Sequence, residues 1–574
     1  MRRRKVMGAV VTRTTVEKRA SRVARIAHLL TLSAAVLVMG TPADALAGGL
    51  EIPAPGTRAV GRGGAVAART DNPMSLFYNP AGLAYVPGIQ LTLQTHLTLF
   101  NACFNREGGY GDGPLLTPDE TRFGNESNAG EFSSVCNSGR PTIVPNLVLS
   151  WKVHERVGLS LGLLAPSGVG VQQWGESQRI GERTYEGIHR GLPAPSRYLL
   201  IEEELITAFP TVGVGVAVHP RLSLGASFGW GIASFGFTNI TRALPGEDFD
   251  GDVHTEFTAQ DFFVPRVTLS AHATPIDNLD VSFTAIWTDR LRASGDLNVT
   301  SGYYRDTPLD QNTISGTQLN TSIPLQLLLG IRYAHRLSPR DLPGTGNGEN
   351  SGQIRDSMSE ELFDIELDVM YERNSSVDEL RTNLPTCGSR AGDRCSEPPG
   401  PGEPRTITNE NGHVVTVPFL GELPLPDQPS VAQQWRDQLS IRLGGDINIL
   451  PGRFAARLGF TYETRGVTDG FQQLNFMPFQ RFGVHLGATV RFNRFDLSLG
   501  FGHLFQQTQT VGEEGDVRQV AADRLLQLQI CESEGGSPES CDESVTTARG
   551  TVVNRGRITS SYTTFSLGLT YHFR

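Results

Sequence analysis

The sequence predicts an all-β fold: a 14-stranded antiparallel transmembrane β-barrel with an N-terminal plug in its lumen. Three observations lead there. Apolar and polar residues alternate with a period of two in many segments, the connections between those segments are short and long in turn, and a Gly-rich stretch without periodicity precedes the first of them. Period-two alternation marks strands with one apolar and one polar face.

The chain begins with a basic leader, Arg2 to Arg25, followed by the apolar run Ile26 to Met39 and the small-residue site Ala45-Leu46-Ala47. Fourteen apolar-run residues are too few to span a bilayer as a helix. Together the three parts predict a secretory signal peptide, residues 1–47, cleaved after Ala47. The leader carries nine basic and two acidic residues, so its removal moves the formal charge from −10 to about −17. A chain that acidic is not expected to bind nucleic acid.

From residue 88 onward the alternation repeats. In GIQLTLQTHLTLF, Ile89, Leu91, Leu93, Leu97 and Leu99 share one face while Gln90, Thr92, Gln94, His96 and Thr98 share the other. QLSIRLGGDINIL and TTFSLGLTYHF behave in the same way. Fourteen such segments start near residues 88, 143, 156, 198, 221, 255, 278, 314, 361, 435, 453, 481, 494 and 560. An even number suits a closed barrel with both ends on one side.

Tight turns at 152–155, 219–220, 274–278, 451–452 and 493–494 alternate with polar inserts near 101–142, 166–197, 243–254, 301–313, 379–434, 464–480 and 511–558. One connection, 337–360, is long for the short side. That alternation is the topology of an outer-membrane barrel in a Gram-negative type of envelope, with short periplasmic turns and long outer loops. A string of soluble β-sandwiches would alternate within strands but not between loop lengths. Phe100, Trp151, Trp230, Trp287, Trp435, Phe492 and Tyr571 fall near strand ends and are expected in interfacial girdles.

Six cysteines fall as three near neighbours, Cys103 with Cys136, Cys387 with Cys395 and Cys531 with Cys541, all in predicted outer loops. In an exported chain they read as disulfides, proximity favouring these pairs among the many connectivities six cysteines allow. A zinc site is the rival reading, and no His sits at ligand spacing beside any pair. No metal and no cofactor is expected.

Residues 48–87 precede the barrel, which takes up 88–574. Their glycines and prolines disfavour regular elements. VGRGGAVAART lacks the G-K-[ST] ending of a phosphate loop. With Asn79-Pro80-Ala81-Gly82, preceded by Gly61, Gly63-Gly64-Ala65 and Asp71, the stretch resembles the amino-terminal hatch of the FadL-type outer-membrane transporters of long-chain fatty acids and related hydrophobic compounds. The resemblance runs on through FTAIWTDRLRASGDL and FMPFQRFGVHLGATVRFNRFDLSLGFGHLF, so it covers essentially 48–574.

The resemblance implies a fourteen-stranded barrel plugged by the hatch. Substrate is captured among outer loops, passes to a pocket inside and leaves sideways where a strand is kinked. Passive transport gated by the hatch is implied too, and the chain is expected to be a non-enzymatic monomer whose partners are a hydrophobic small molecule, membrane lipid and lipopolysaccharide. Asn79, Pro80, Ala81 and Gly82 are then the gating candidates. Pro166 and Gly168, ending the third strand, are the candidate kink, since proline removes a ladder donor; a plain strand end is the plainer alternative. Arg332, Arg442 and Arg457 have lumen parity and are candidate contacts for a ligand carboxylate, although Asp364, Glu366, Asp368 and Asp446 share that parity and could absorb them.

Other motifs weigh less. Gly225-Ala226-Ser227-Phe228-Gly229 matches G-x-S-x-G but lies in a strand rather than a strand-turn-helix, so its small residues read as lumen-facing. His485 and His503 are strand histidines with no pattern joining them to a serine and an acid, which leaves a lipid hydrolase as a minor alternative beside a non-specific porin or a structural barrel. Asp248, Asp250, Asp252 and Glu256 have calcium-like spacing, yet Gly251 falls one place early for an EF-hand loop. The loop residues Trp174, Ile180 and Tyr185 are the apolar contribution expected of a capture surface, and two Pro-rich stretches from Ser396 and Leu420 read as semi-rigid loop.

Overall fold

The structure, a computed structural model, describes residues 55–109, 132–165, 170–178, 192–241, 252–304, 308, 310–340, 342–344, 354–377, 379–384, 405–408, 414–417, 430–519 and 551–573. The expected signal peptide lies outside these residues. So do 48–54 of the hatch, Pro166, Gly168, Cys387, Cys395, Cys531, Cys541, Ile180, Tyr185, Asp248, Asp250 and both Pro-rich stretches.

Fourteen strands close on themselves. They are β1 (Ile89–Arg106), β2 (Thr142–His154), β3 (Val157–Leu164, resuming at Gly170–Gln173), β4 (Glu202–His219), β5 (Leu222–Thr241), β6 (Val253–Ile276) and β7 (Leu279–Thr288, resuming at Leu291–Ser301). The second half comprises β8 (Asp310–Thr321 and Gln326–Arg336), β9 (Glu361–Glu372, resuming at Glu379–Asn383), β10 (Ser430–Ala432 and Gln438–Leu450), β11 (Phe454–Glu463), β12 (Arg481–Phe492), β13 (Phe495–Gln506) and β14 (Gly556–His572). Each pairs antiparallel with its sequence neighbours, and β14 pairs with β1 from His572↔Gln90 to Gly556↔Arg106, so no edge is left. Every barrel strand predicted from the alternation is present. The connection 337–360 is long because it ends in a short helix, Ser357–Glu360, capped by Asp356 and tied to β12 through Arg491.

The outer face confirms the membrane type of barrel. Each of the fourteen strands turns a large apolar side chain outward, and one per strand, from Leu93 on β1 to Leu567 on β14, is 41–57% exposed. A continuous apolar belt of that kind suits lipid rather than water. Among the described residues no helix is long and apolar enough to cross a membrane. Trp151, Trp230, Trp287 and Phe492 stand exposed on the belt as expected of a girdle. Trp435 does not: it is 5% exposed and points into the lumen, while Phe100 stacks on the buried Tyr562 with ring centroids 4.5 Å apart. Both are corrections to the girdle expectation.

Above the belt the loops fold inward. Trp174, Leu199, Leu200, Leu474, Met477 and Phe479 join one buried apolar cluster that roofs the barrel. Cys103 and Cys136 are joined by a disulfide beside this roof, tying the outer end of β1 to the chain that leads into β2.

The ladder is interrupted in two places. On one side β2 and β3 stay paired only as far as Leu147↔Leu163, and β3 pairs with β4 at Leu164↔Phe209 and then Gly170↔Leu205, which puts two extra residues in β3. On the other side a band of breaks crosses β6 to β10 at one level: a bulge at Phe262-Phe263, and, among the described residues, gaps at Asp289-Arg290, Ser322 to Leu325, Arg373 to Val377 and Gln433 to Asp437. Inward parity flips across the band, from even positions such as Thr288 and Arg266 below it to odd ones such as Leu291 and Ala259 above it. A one-residue slip exchanges the two faces of a strand.

Candidate functional site: the hatch and the cavities around it

Residues 55–87 lie inside the lumen. Helix α1 (Thr57–Gly61) packs against β12, β13 and β14, and a short helix α2 (Ser75–Tyr78) leads into a 3-10 turn, Pro80–Ala84, against β4, β5 and β6. Pro80 opens that turn where a backbone donor is not needed. Asn79 binds the hatch to itself, its side-chain amide donating to Ala67 O at 2.8 Å while its carbonyl accepts from Gly82 N at 2.8 Å.

Two contrasting contacts seat the hatch. Its first half is clamped by charge: Arg62 donates to Asp446 (2.6 Å), Asp364 (3.0 Å) and Glu366 (2.9 Å), and Arg69 pairs with Asp71 and Asp446. Asp368 accepts from Val66 N and Ala67 N at 2.8 and 2.9 Å, so β9 holds hatch backbone as well. Burial would lower the pKa of Arg62, but Asp364, Asp446 and Glu366 outweigh it and hold the guanidinium above its ordinary value. Burial would likewise raise Asp71, yet Arg69 and Arg58 hold its carboxyl well below the usual carboxylate range.

The second half is seated by shape. A Cβ at Gly225 would stand 2.0 Å from Ala81 N, so only glycine lets β5 approach the 3-10 turn. Ala81 N also donates to Ser270 Oγ on β6 at 2.8 Å. The G-x-S-x-G match thus has a structural use: Gly225 is part of the hatch socket, and Ser227 and Gly229 line a small cavity.

Three cavities surround this assembly. An upper chamber of about 770 Å³ is walled by apolar residues including Leu205, Phe235, Leu291, Leu319, Trp435 and Phe476. Its polar members are Thr207, Thr288, Thr321 and Arg266, whose guanidinium lies 4.8 Å over the Phe77 ring of the hatch and 5.5 Å over Phe209. A second cavity of about 260 Å³ shares Phe209 and Arg266 with the chamber and extends to Leu164, where the first run of β3 stops. A third, of about 780 Å³, lies between the hatch and β8 to β14 and is lined by Phe77, Arg442, Glu463, Arg481 and His485 among others.

The three arginines singled out from parity are all buried in the lumen. Arg332 pairs with Asp280, Asp364 and Glu361, and Arg457 with Asp446 at 2.9 Å. Arg442 lines the third cavity, with Nε donating to Ser440 at 3.0 Å and Glu463 3.9 Å away. Asp252, from the acidic loop motif, is taken up by Arg197 and Tyr198. His485 contacts Thr461 and His503 contacts Thr563. Phe77, Arg266, Phe476 and most of the chamber's apolar wall were not singled out from the sequence; the parity flip hides the wall residues on the strands, because above it lumen residues are apolar too.

The wall beside the second cavity is thin. Among the described residues, β2 from Thr142 to Asn146 has no ladder with β3, and Asn146 Oδ1 accepts instead from Ala165 N at 3.0 Å. Farther along, Ser138 N donates to Gln173 O at 2.7 Å.

No protein-family model matches the chain, and none of the curated proteins does. Among solved structures it is similar to a Pseudomonas aeruginosa FadL homologue, with a TM-score of 0.59 at 15% identity over 92% of this chain and 100% of that one. The chain has the FadL-type fold. The Pseudomonas putida toluene transporter TodX is similar too, with a TM-score of 0.51 at 12% identity over 92% of this chain and 99% of that one. At these identities the likeness is one of fold.

Proposed function

We propose that this chain mediates passive uptake of hydrophobic compounds across an outer membrane, as the FadL homologue and the toluene transporter suggest for this fold. The observation that carries the reading is the run of cavities. An apolar chamber under the roof passes through Phe209, Arg266 and Phe77 into a smaller cavity that ends at Leu164, beside the opening between β2 and β3. Ligand pockets with few polar groups take apolar ligands.

On this reading compounds leave sideways into the membrane through that opening, with Pro166 and Gly168, expected from the sequence as the kink, as the residues to test. Asn79 to Gly82 forms the moving part of the gate. Long-chain fatty acids are the first class to test, because Arg442 in the third cavity offers a partner for a carboxylate. Mass spectrometry of the purified barrel should find a co-purifying apolar ligand, and adding it should quench Trp435 in the chamber wall. An ion-conducting, water-filled lumen in planar bilayers would instead establish the porin alternative.

A further inference from the structure

Ile232 on β5 lines the upper chamber, yet the same residue is 40% exposed on the lipid-facing side of the barrel. The chamber therefore reaches the wall at the level of Ile232. The band of broken ladders lies there. β7 and β8 are paired at Ile286↔Gln326 and again at Leu291↔Thr321 with the register unchanged, while no ladder joins the four residues between on either strand. That leaves a slit about 13 Å long at roughly 3.3 Å per residue. Pro324 lies within it and has no N–H to give.

The break is built rather than frayed. Asp261 accepts from Phe263 N at 3.0 Å and from Arg292 N at 2.7 Å, Asp289 N donates to Pro265 O at 2.9 Å, and Trp230 Nε1 donates to Phe262 O at 2.7 Å. These bonds occupy polar groups of β6 and β7 beside the slit, as a membrane protein requires. Thr288, Thr321 and Ile323 stand at the slit and also line the chamber. Outside, Phe262, Phe263, Trp230 and Trp287 are exposed, which sets the slit at the outer aromatic girdle where lipid meets water.

We propose that this band is a side entrance, through which uncharged hydrophobic compounds dissolved in the outer leaflet pass directly into the upper chamber without crossing the loops. The inference rests on the uptake reading. The roof above the chamber is packed with apolar side chains among the described residues, whereas the slit is lined by two threonines and an isoleucine. The charged rim, Asp289 paired with Arg292 at 3.0 Å, keeps ionised head groups at the interface while a neutral body slides past. Entrance on β5 to β8 and exit beside β3 lie on different strands, so the hatch between them controls the passage.

The test uses the full barrel in lipid nanodiscs preloaded with adamantyl diazirine, a neutral photoreactive hydrocarbon, with labelled residues mapped by mass spectrometry. Leu291, Ile323 and Trp435 should be labelled from the bilayer. Ile323→Lys places an ammonium in the slit and should reduce chamber labelling roughly tenfold, with Phe262 and Phe263 on the belt labelled as before. Thr288→Phe, which fills the slit without charge, should do the same. Chamber labelling undiminished in both variants overturns the proposal. So does a chamber that is labelled only when the probe is supplied from the outer aqueous side. A chamber that neither route labels sinks the uptake reading itself.

Discussion

Arg62 is the residue on which most of the hatch depends. Its guanidinium serves three carboxylates from two barrel strands, and all four groups are buried. Removing one partner of such a cluster strands the others, which costs about 3–5 kcal/mol, far more than a surface pair is worth. Arg62→Met should therefore loosen residues 57–71 in hydrogen exchange while the barrel still resists heat. Asp71 gives the pH sign. Its folded pKa lies below the unfolded value of about 4, so its stabilisation is complete above that pH and lost only as pH falls through the depressed value. Protection of the hatch that this residue supplies should thus be flat from about pH 5 to 9. Gly225→Val tests the other anchorage: its side chain would strike Ala81, and the expelled turn should turn a sealed barrel into one that conducts ions in planar bilayers.

Among the elements, regular strands were legible and their interruptions were not. Leu93, Leu443 and Leu567 alternate with polar lumen residues because a barrel has lipid outside and a polar filling within, and that contrast is written in every strand below the girdle. Above it the contrast disappears: Leu205, Phe235 and Leu291 face an apolar chamber, so their parity cannot tell inside from outside. Trp435 was misplaced on the girdle for this reason. The arginines show the same limit, since Arg332 and Arg442 have one parity and different surroundings, and only distance separates a clamp from a cavity wall. Hatch chemistry was legible at Asn79-Pro80-Ala81-Gly82, whose turn geometry is local, but the glycine that receives it is far along the chain at Gly225. The opening beside β3 makes a testable element. Asn146 already touches Ala165, so Asn146→Cys with Ala165→Cys should close it on oxidation and abolish uptake, with recovery on reduction. Uptake indifferent to oxidation would remove the sideways exit.

At the scale of the molecule, the hatch has two halves with different holds on the wall, and this decides which part can move. Residues 58–71 share buried ion pairs with β9 and β10, and pulling them free would leave several charges unpaired in the lumen. Residues 76–84 rest in a socket of small residues on β4 to β6, held by the hydrogen bond from Ala81 to Ser270 and by burial of Leu76, Phe77 and Leu83 rather than by ion pairing with β9 and β10. Phe77, in the second half, lies under the Arg266 guanidinium of the upper chamber and lines the second cavity. On the proposed uptake reading, a ligand in the chamber would press through Arg266 on the half held by shape, and a small shift of α2 would join the chamber to the cavity at Leu164 while the ionic half keeps the barrel sealed. No energy source is needed for such a step, so uptake should run at the same rate with or without a potential or a proton gradient. Locking the turn by Ala81→Cys with Ser270→Cys should stop it: oxidised protein should still bind ligand and quench Trp435, yet release none to the bilayer. Release at the wild-type rate from the locked form would mean that the hatch is a fixed plug and that ligand passes around it.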